Sequence, residues 1–303
     1  MKGHQTMNES IIVANRTGGQ GKTVTAQMLI WGMEIGGLEP RRIAIDSVGE
    51  GTVSKFGKFC ARVREIRVSP DEASLRSDSK AVLTHWDAVG KELLNGGAVI
   101  DVGANVIDSI FAWAAARNAG SVLAQRKAPP VTLIVPTQAQ AQALEDALHL
   151  LERSIAEGEN LQITRRVLLL NEAFGGFDTY GTNEDFTRLQ RMKEEHGLRI
   201  GRLRKCTSAL WPFIERLYLN MADVAEMDPP DMEKKFGLNP FEAAGAQVDF
   251  LQWALESLRM LNSLGLTPDN PRDQGSDVSL PAYPPKPRKG TRPCPSRKIR
   301  SSS

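Results

Sequence analysis

Ser10-Ile-Ile-Val-Ala14-Asn15-Arg16-Thr17-Gly18-Gly19-Gln20-Gly21-Lys22-Thr23 is the stretch on which the reading of this chain turns. Ser10 to Ala14 is an apolar, mostly β-branched run and reads as a buried strand. The glycine-rich turn after it leads into Lys22 to Ile35, which reads as a helix stopped by Gly36-Gly37 and Pro40. A strand, a glycine turn and a helix in that order are the setting of a phosphate-binding loop. Glycine lets the backbone curl so that successive N–H groups face one anion, and the helix adds its positive end. Gly18, Gly19, Gln20 and Gly21 would form the cradle. Lys22 would reach the terminal phosphates, and the Thr23 hydroxyl would ligate Mg²⁺. The ordinary spacing wants a glycine six positions before the lysine. Arg16 stands there instead, so the fitting pattern is the paired-glycine variant, GGxGK[ST].

Outward from this loop, strands and helices alternate. Strands are expected at Arg42–Asp46, Ala98–Asp101, Val131–Pro136 and Arg166–Asn171, with a sixth at Leu198–Leu203. Helices are expected at Ser79–Leu94, Val106–Asn118, Ala139–Ala156, Ser208–Ala225 and Pro240–Leu264. The last should bury Val248, Leu251, Leu255, Leu258 and Met260 or Leu261. Phe174–Glu195 reads as a glycine-containing loop followed by a charged helix. Strands that are continuous apolar runs between helices predict an α/β fold, a mostly parallel sheet with helices on both faces. Residues 10–267 would form this body, after a flexible 1–9 and before a tail at 268–303.

The tail comes from composition. The chain of 303 residues carries a net charge of +2. Pro281 to Ser303 holds seven basic residues, no acid and six prolines, which leaves 31 basic against 36 acidic residues, a net of −5, in 1–280. So proline-rich and basic a segment cannot build a core and reads as a disordered arm, either a solubilising extension or a polyanion-binding one for DNA or RNA. Three scattered cysteines and four scattered histidines point away from disulfides, zinc and iron–sulfur clusters. No apolar run reaches the ~18 residues of a membrane span, and the polar start lacks a signal-peptide core, so a cytoplasmic location is expected.

The paired-glycine loop resembles the deviant Walker A motif of the ParA/MinD family of ATPases, over about residues 8 to 205. Asn15 precedes the loop as in many ParA proteins. The resemblance implies a P-loop NTPase fold with ATP and Mg²⁺ as cofactors. It makes Asp46 the aspartate that positions the attacking water, Asp101 in Val99-Ile-Asp-Val-Gly103 the Walker B aspartate near the metal, and Asn171 the asparagine facing adenine. No [NT]KxD guanine-reading motif occurs, which favours ATP. Singly, Asp46 or Asp101 could also be a capping aspartate, and Asn171 a turn asparagine. The chain departs from the family at Thr17, where the signature lysine that reaches a dimer partner's nucleotide is expected. A neutral hydroxyl cannot offset phosphate charge as an ammonium does. Arg16, one residue away, is a candidate substitute, with a solvated or structural role as the stronger alternative.

The resemblance implies a slow ATPase switch, with Lys22 and Asp46 as the catalytic pair and a nucleotide-dependent homodimer as a possible state. Within the family the chain looks like plasmid ParA-like proteins of stability and conjugation operons, the StbB and TraL groups. Plasmid DNA would then be the partner, through the basic tail, through Arg202, Arg204 and Lys205, or through a small adaptor protein. Two alternatives stand beside it: a MinD-like positioning ATPase, which the proline-rich tail disfavours, and a metabolic or metal-delivery enzyme on the same fold.

Overall fold

The computed structural model describes residues 8–46, 52–68 and 81–268. Seven strands form one sheet: β1 (Ser10–Val13), β2 (Arg41–Asp46), β3 (Val63–Arg67), β4 (Ala98–Val102), β5 (Val131–Gln138), β6 (Ile163–Asn171) and β7 (Arg199–Leu203). Their order is β3-β2-β4-β1-β5-β6-β7, and every pairing is parallel. The strand after the first unit lies two places to one side of β1, and β5 lies on the other side. β1 is therefore flanked by the two halves of the sheet, at the switch point where α/β folds open a crevice at the carboxyl ends of the strands.

Alternating strand residues feed two cores. Ile12, Ile43, Ile45, Ile100 and Leu133 face one side, with Trp86, Ile110, Phe111, Leu144 and Leu151 from the helices that cover it. Ile11, Val13, Val99, Ile134 and Val167 face the other. There α1 (Lys22–Ile35) lies against the sheet with ten of its residues buried, which is why its apolar residues run all round it. The first face is covered by α3 (Ala81–Asn95), α4 (Ile107–Ala116), α5 (Ala119–Gln125), α6 (Ala141–Glu157) and α7 (Glu184–His196). The second also takes α2 (Lys55–Phe59), α8 (Trp211–Leu217), α9 (Met221–Ala225), α10 (Pro229–Phe236) and α11 (Pro240–Ser263).

Four readings of the sequence need correction. β3 was not expected: Val63-Arg-Glu-Ile-Arg67 is mostly charged because it is an edge strand, where charge discourages pairing with another chain. Asp101 and Asn171 therefore belong to the fourth and sixth strands rather than the third and fifth. The helix expected at Val106–Asn118 stops at Ala116 and a second follows it, because Asn118 takes a left-handed φ of 50°. Ser208–Ala225 is likewise two helices, broken at Tyr218 with φ 51°. The buried stripe of α11 is Ala243, Ala246, Phe250, Trp253, Ala254, Ser257 and Leu261, while Val248 is 54% exposed. Small residues on that stripe let α11 close on α1, where Phe250 stacks on Trp31 with ring centroids 6.5 Å apart. Of the expected residues, Leu261 is buried and Leu258 and Met260 pack partly buried against the core, whereas the small residues Ala243, Ala246, Ala254 and Ser257 were not expected.

No helix among the described residues is long and apolar enough to cross a membrane. Most of the expected tail, 269–303, and the segment after Asp46, 47–51, lie outside the described residues.

Candidate functional site

The loop between β1 and α1 is built from inside. Asn15 is fully buried, and its side-chain amide donates to the Pro136 carbonyl at 2.7 Å while its Oδ1 accepts from the Thr17 N–H at 3.2 Å. This ties the start of the loop to β5. Gln20 is not a free loop residue. Its Oε1 accepts from the Gln138 N–H at 2.8 Å, its own amide donates to the Gly18 carbonyl at 3.2 Å, and the Gln138 amide donates to the Gly19 carbonyl at 2.6 Å. Gln138 thus braces two loop residues from the end of β5, a role the sequence reading missed.

Gly21 begins α1 with φ 93°, a conformation that side chains resist. A Cβ there would also collide with the Asn171 side chain. That close approach is used: the Asn171 amide donates to the Gln20 carbonyl at 3.0 Å, and its Oδ1 accepts from the Ala173 N–H at 3.2 Å. Asn171, read from the sequence as a base-facing residue, also braces the loop.

Lys22 Nζ donates to the carbonyls of Thr17 at 2.8 Å and Asn15 at 3.3 Å, so the loop curls around its ammonium. Burial holds the Lys22 pKa below the usual lysine value, and the charges of Asp101 and Asp46 oppose that shift. The Thr23 hydroxyl donates to Asp101 Oδ2 at 2.8 Å. Asp101 Oδ1 is buried and has no hydrogen-bond partner. Burial pushes the Asp101 carboxyl up to about 6, although the Thr23 hydrogen bond and Lys22 pull it down. An orphaned carboxylate oxygen beside a threonine hydroxyl is the donor set a hard divalent cation takes when phosphates and waters supply the remaining ligands. Thr23 and Asp101 therefore fit Mg²⁺. Among the described residues no group of three or more acidic, cysteine or histidine side chains could hold a metal unaided.

Asp46, half-buried at the end of β2, lies close over Gly103: a Cβ on that glycine would stand 2.6 Å from Asp46 Oδ1. Gly103 is also held to β2 by its N–H to the Ile45 carbonyl at 2.7 Å. Asp46, Asp101 and Lys22 share one electrostatic neighbourhood, and Lys55 at the start of α2 also acts on Lys22 and Asp101. Lys55 was not singled out from sequence. Its only signal is a basic residue within ten positions of Asp46.

The structure thus brings Gly18, Gly19, Gln20, Gly21, Lys22, Thr23, Asp46, Asp101 and Asn171 together at the carboxyl ends of the strands. Arg16 pairs with Asp108 on α4 at 2.9 Å, and Asp108 is shared with Arg153 at 3.0 Å. The candidate substitute for the signature lysine is therefore held in an ion-pair network with Asp108 and Arg153. Thr17, at the lysine position itself, hydrogen-bonds Asp146 of α6. Two residues of the candidate DNA cluster are also neutralised: Arg202 pairs with Glu172 at 2.9 Å and Arg204 with Glu256 at 3.4 Å.

Comparison with protein families finds no match, and comparison with curated proteins finds none. Solved structures similar in chain path include apo McdA from Cyanothece, with a TM-score of 0.41 and 15% identity over 79% of this chain and 99% of that one. The MinC:MinD cell division complex of Aquifex aeolicus gives 0.39 and 13% over 91% and 100%. A ParA family ATPase from Chlorobium tepidum TLS gives 0.40 and 12% over 83% and 99%. Scores and identities this low carry nothing over about ligands or partners, so function is read from the chain's own residues.

Proposed function

We propose that this chain is an ATP-binding switch protein that hydrolyses ATP slowly. The observation that carries the reading is the conjunction of Lys22 seated in a curled glycine loop with Thr23 bonded to the buried Asp101. An ammonium held by two backbone carbonyls moves onto phosphate oxygens readily, because anionic oxygens are stronger acceptors than carbonyls. The loop N–H groups and the amino end of α1 then hold the phosphate chain. Thr23 and Asp101 would hold Mg²⁺, which when bound neutralises charge on the phosphates. Asp46 acts electrostatically on Lys22 and would orient a water for attack on the terminal phosphate.

The finer reading follows the sequence resemblance: a ParA-like protein serving plasmid partition, stability or conjugation, with ATP binding favouring one association state and hydrolysis releasing it. The basic arm at 281–303 supports a DNA partner by its charge.

Titration calorimetry with ATP and ADP, with and without Mg²⁺, tests the core of the proposal. Light scattering in the same nucleotide states tests the switch. Micromolar, Mg²⁺-dependent ATP binding is expected. A chain that binds neither nucleotide removes the reading, and binding with one mass in all states leaves the nucleotide site but removes the association switch.

A further inference from the structure

At the opposite end of the sheet a cavity of about 530 Å³ opens beside the amino ends of β2 and β3. Arg41 opens β2 and Asp46 closes it, so the cavity lies about 17 Å along the strand from Asp46. Four arginines line it: Arg41, Arg42, Arg62 and Arg64. Three carboxylates line it too, and their arrangement leaves positive charge over. Glu92 is fully buried and serves both Arg41 and Arg64. Glu34 serves Arg42. Glu39 is exposed, and the carboxylate pairs at the cavity, Glu92 with Arg41 and Arg64 and Glu34 with Arg42, leave Arg62 out.

Arg62 is also held in an uncommon way. It is exposed, with φ 61°, in the turn between α2 and β3. Arg42 Nη1 pins that turn by donating to the Ala61 carbonyl at 3.0 Å. The left-handed turn costs the backbone some free energy and leaves the Arg62 side chain exposed at the cavity. We infer that this cavity is a second anion site, which takes a small phosphate-bearing molecule on Arg62 and Arg64. A phosphate brings about two negative charges and several acceptor oxygens, and guanidinium forks meet them in pairs. The volume is that of a small-molecule pocket rather than of a duplex-binding face. The site uses no residue of the phosphate loop.

Calorimetry on the full chain tests this, with inorganic phosphate and AMP as probes to separate free phosphate from a nucleotide source. The Lys22→Ala variant removes the loop's contribution. Binding of either probe should persist in Lys22→Ala and weaken at least tenfold in Arg62→Gly. That glycine also relieves the left-handed backbone, so the melting temperature should hold or rise. Arg64→Gln, which leaves Arg41 on Glu92, should weaken binding similarly. Three results overturn the inference: no binding of either probe, binding unchanged in both arginine variants, or binding lost in Lys22→Ala and kept in Arg62→Gly. A fall in melting temperature with Arg62→Gly, with Arg64→Gln binding normally, would make Arg62 structural and also overturn it.

Discussion

The Thr23 hydroxyl and the Asp101 carboxylate meet at 2.8 Å across 78 residues of sequence, joining the first turn of α1 to the end of β4. That bond uses one oxygen of a buried carboxylate and leaves the other without a partner. A group so placed costs stability in the free protein.

Asp101→Asn should therefore stabilise the metal-free chain. The Asp101 carboxyl is raised from its usual 3.8 to about 6, so its charged form is disfavoured in the folded state. The penalty is absent below the unfolded value, grows as pH rises from about 4 to about 6, and is complete above that. A shift of about two units corresponds to at most roughly 3 kcal/mol. Melting temperatures of wild type and Asp101→Asn should agree near pH 4 and diverge by pH 7, with the variant the more stable. A variant less stable at pH 7 would contradict the burial argument.

Lys22→Ala should abolish ATP binding, by a factor of at least about 100, since a hydrogen-bonded charge on a ligand is worth on the order of 3 kcal/mol. The fold should survive, because the ammonium caps only the carbonyls of Asn15 and Thr17. Near-normal affinity in calorimetry would remove the phosphate-loop reading.

Asp46→Ala should leave ATP affinity within a few-fold and slow turnover on the order of 100-fold, the usual worth of a positioned general base. Unchanged phosphate release would make Asp46 structural.

Gly21→Ala should destabilise the chain by about 2 kcal/mol, from the positive φ and the collision with Asn171 together. Removing the obstacle in Gly21→Ala with Asn171→Ala should restore only part of this, because the backbone strain remains. Thermal denaturation of the two variants measures both parts.

Truncation after Leu280 should remove most non-specific DNA binding and leave ATP binding intact. Seven cations on one arm could place four to six phosphate contacts, giving a slope of log affinity against log salt of roughly −4 to −5. An unchanged slope in the truncated protein would place any DNA contact on the body. There Arg202 and Arg204 are already paired with Glu172 and Glu256.

The glycine loop, α1 and the apolar strands were legible because each is a local pattern: a period, a turn residue, a helix stop. The residues at the ends of those strands were legible because a parallel sheet brings all its carboxyl ends to one side. Gln138, Lys55 and the edge strand β3 were not, since none carries a local signal. Gln138 acts only because β5 lies beside β1, and β3 is a strand only because β2 offers it a partner.

The chain by itself determined an α/β body, the glycine loop of Gly18 to Thr23, and the order of Asp46, Asp101 and Asn171 along it. These follow from backbone preference and hydrophobic period, which act over a few residues. Only the tertiary structure decided that Arg16 turns to Asp108, that Asn171 braces the loop, and that Glu92 gathers Arg41 and Arg64 at the far end of the sheet. Ion pairs and buried hydrogen bonds form between groups 28 to 151 residues apart, and no spacing in the sequence encodes which buried carboxylate a given cation will meet.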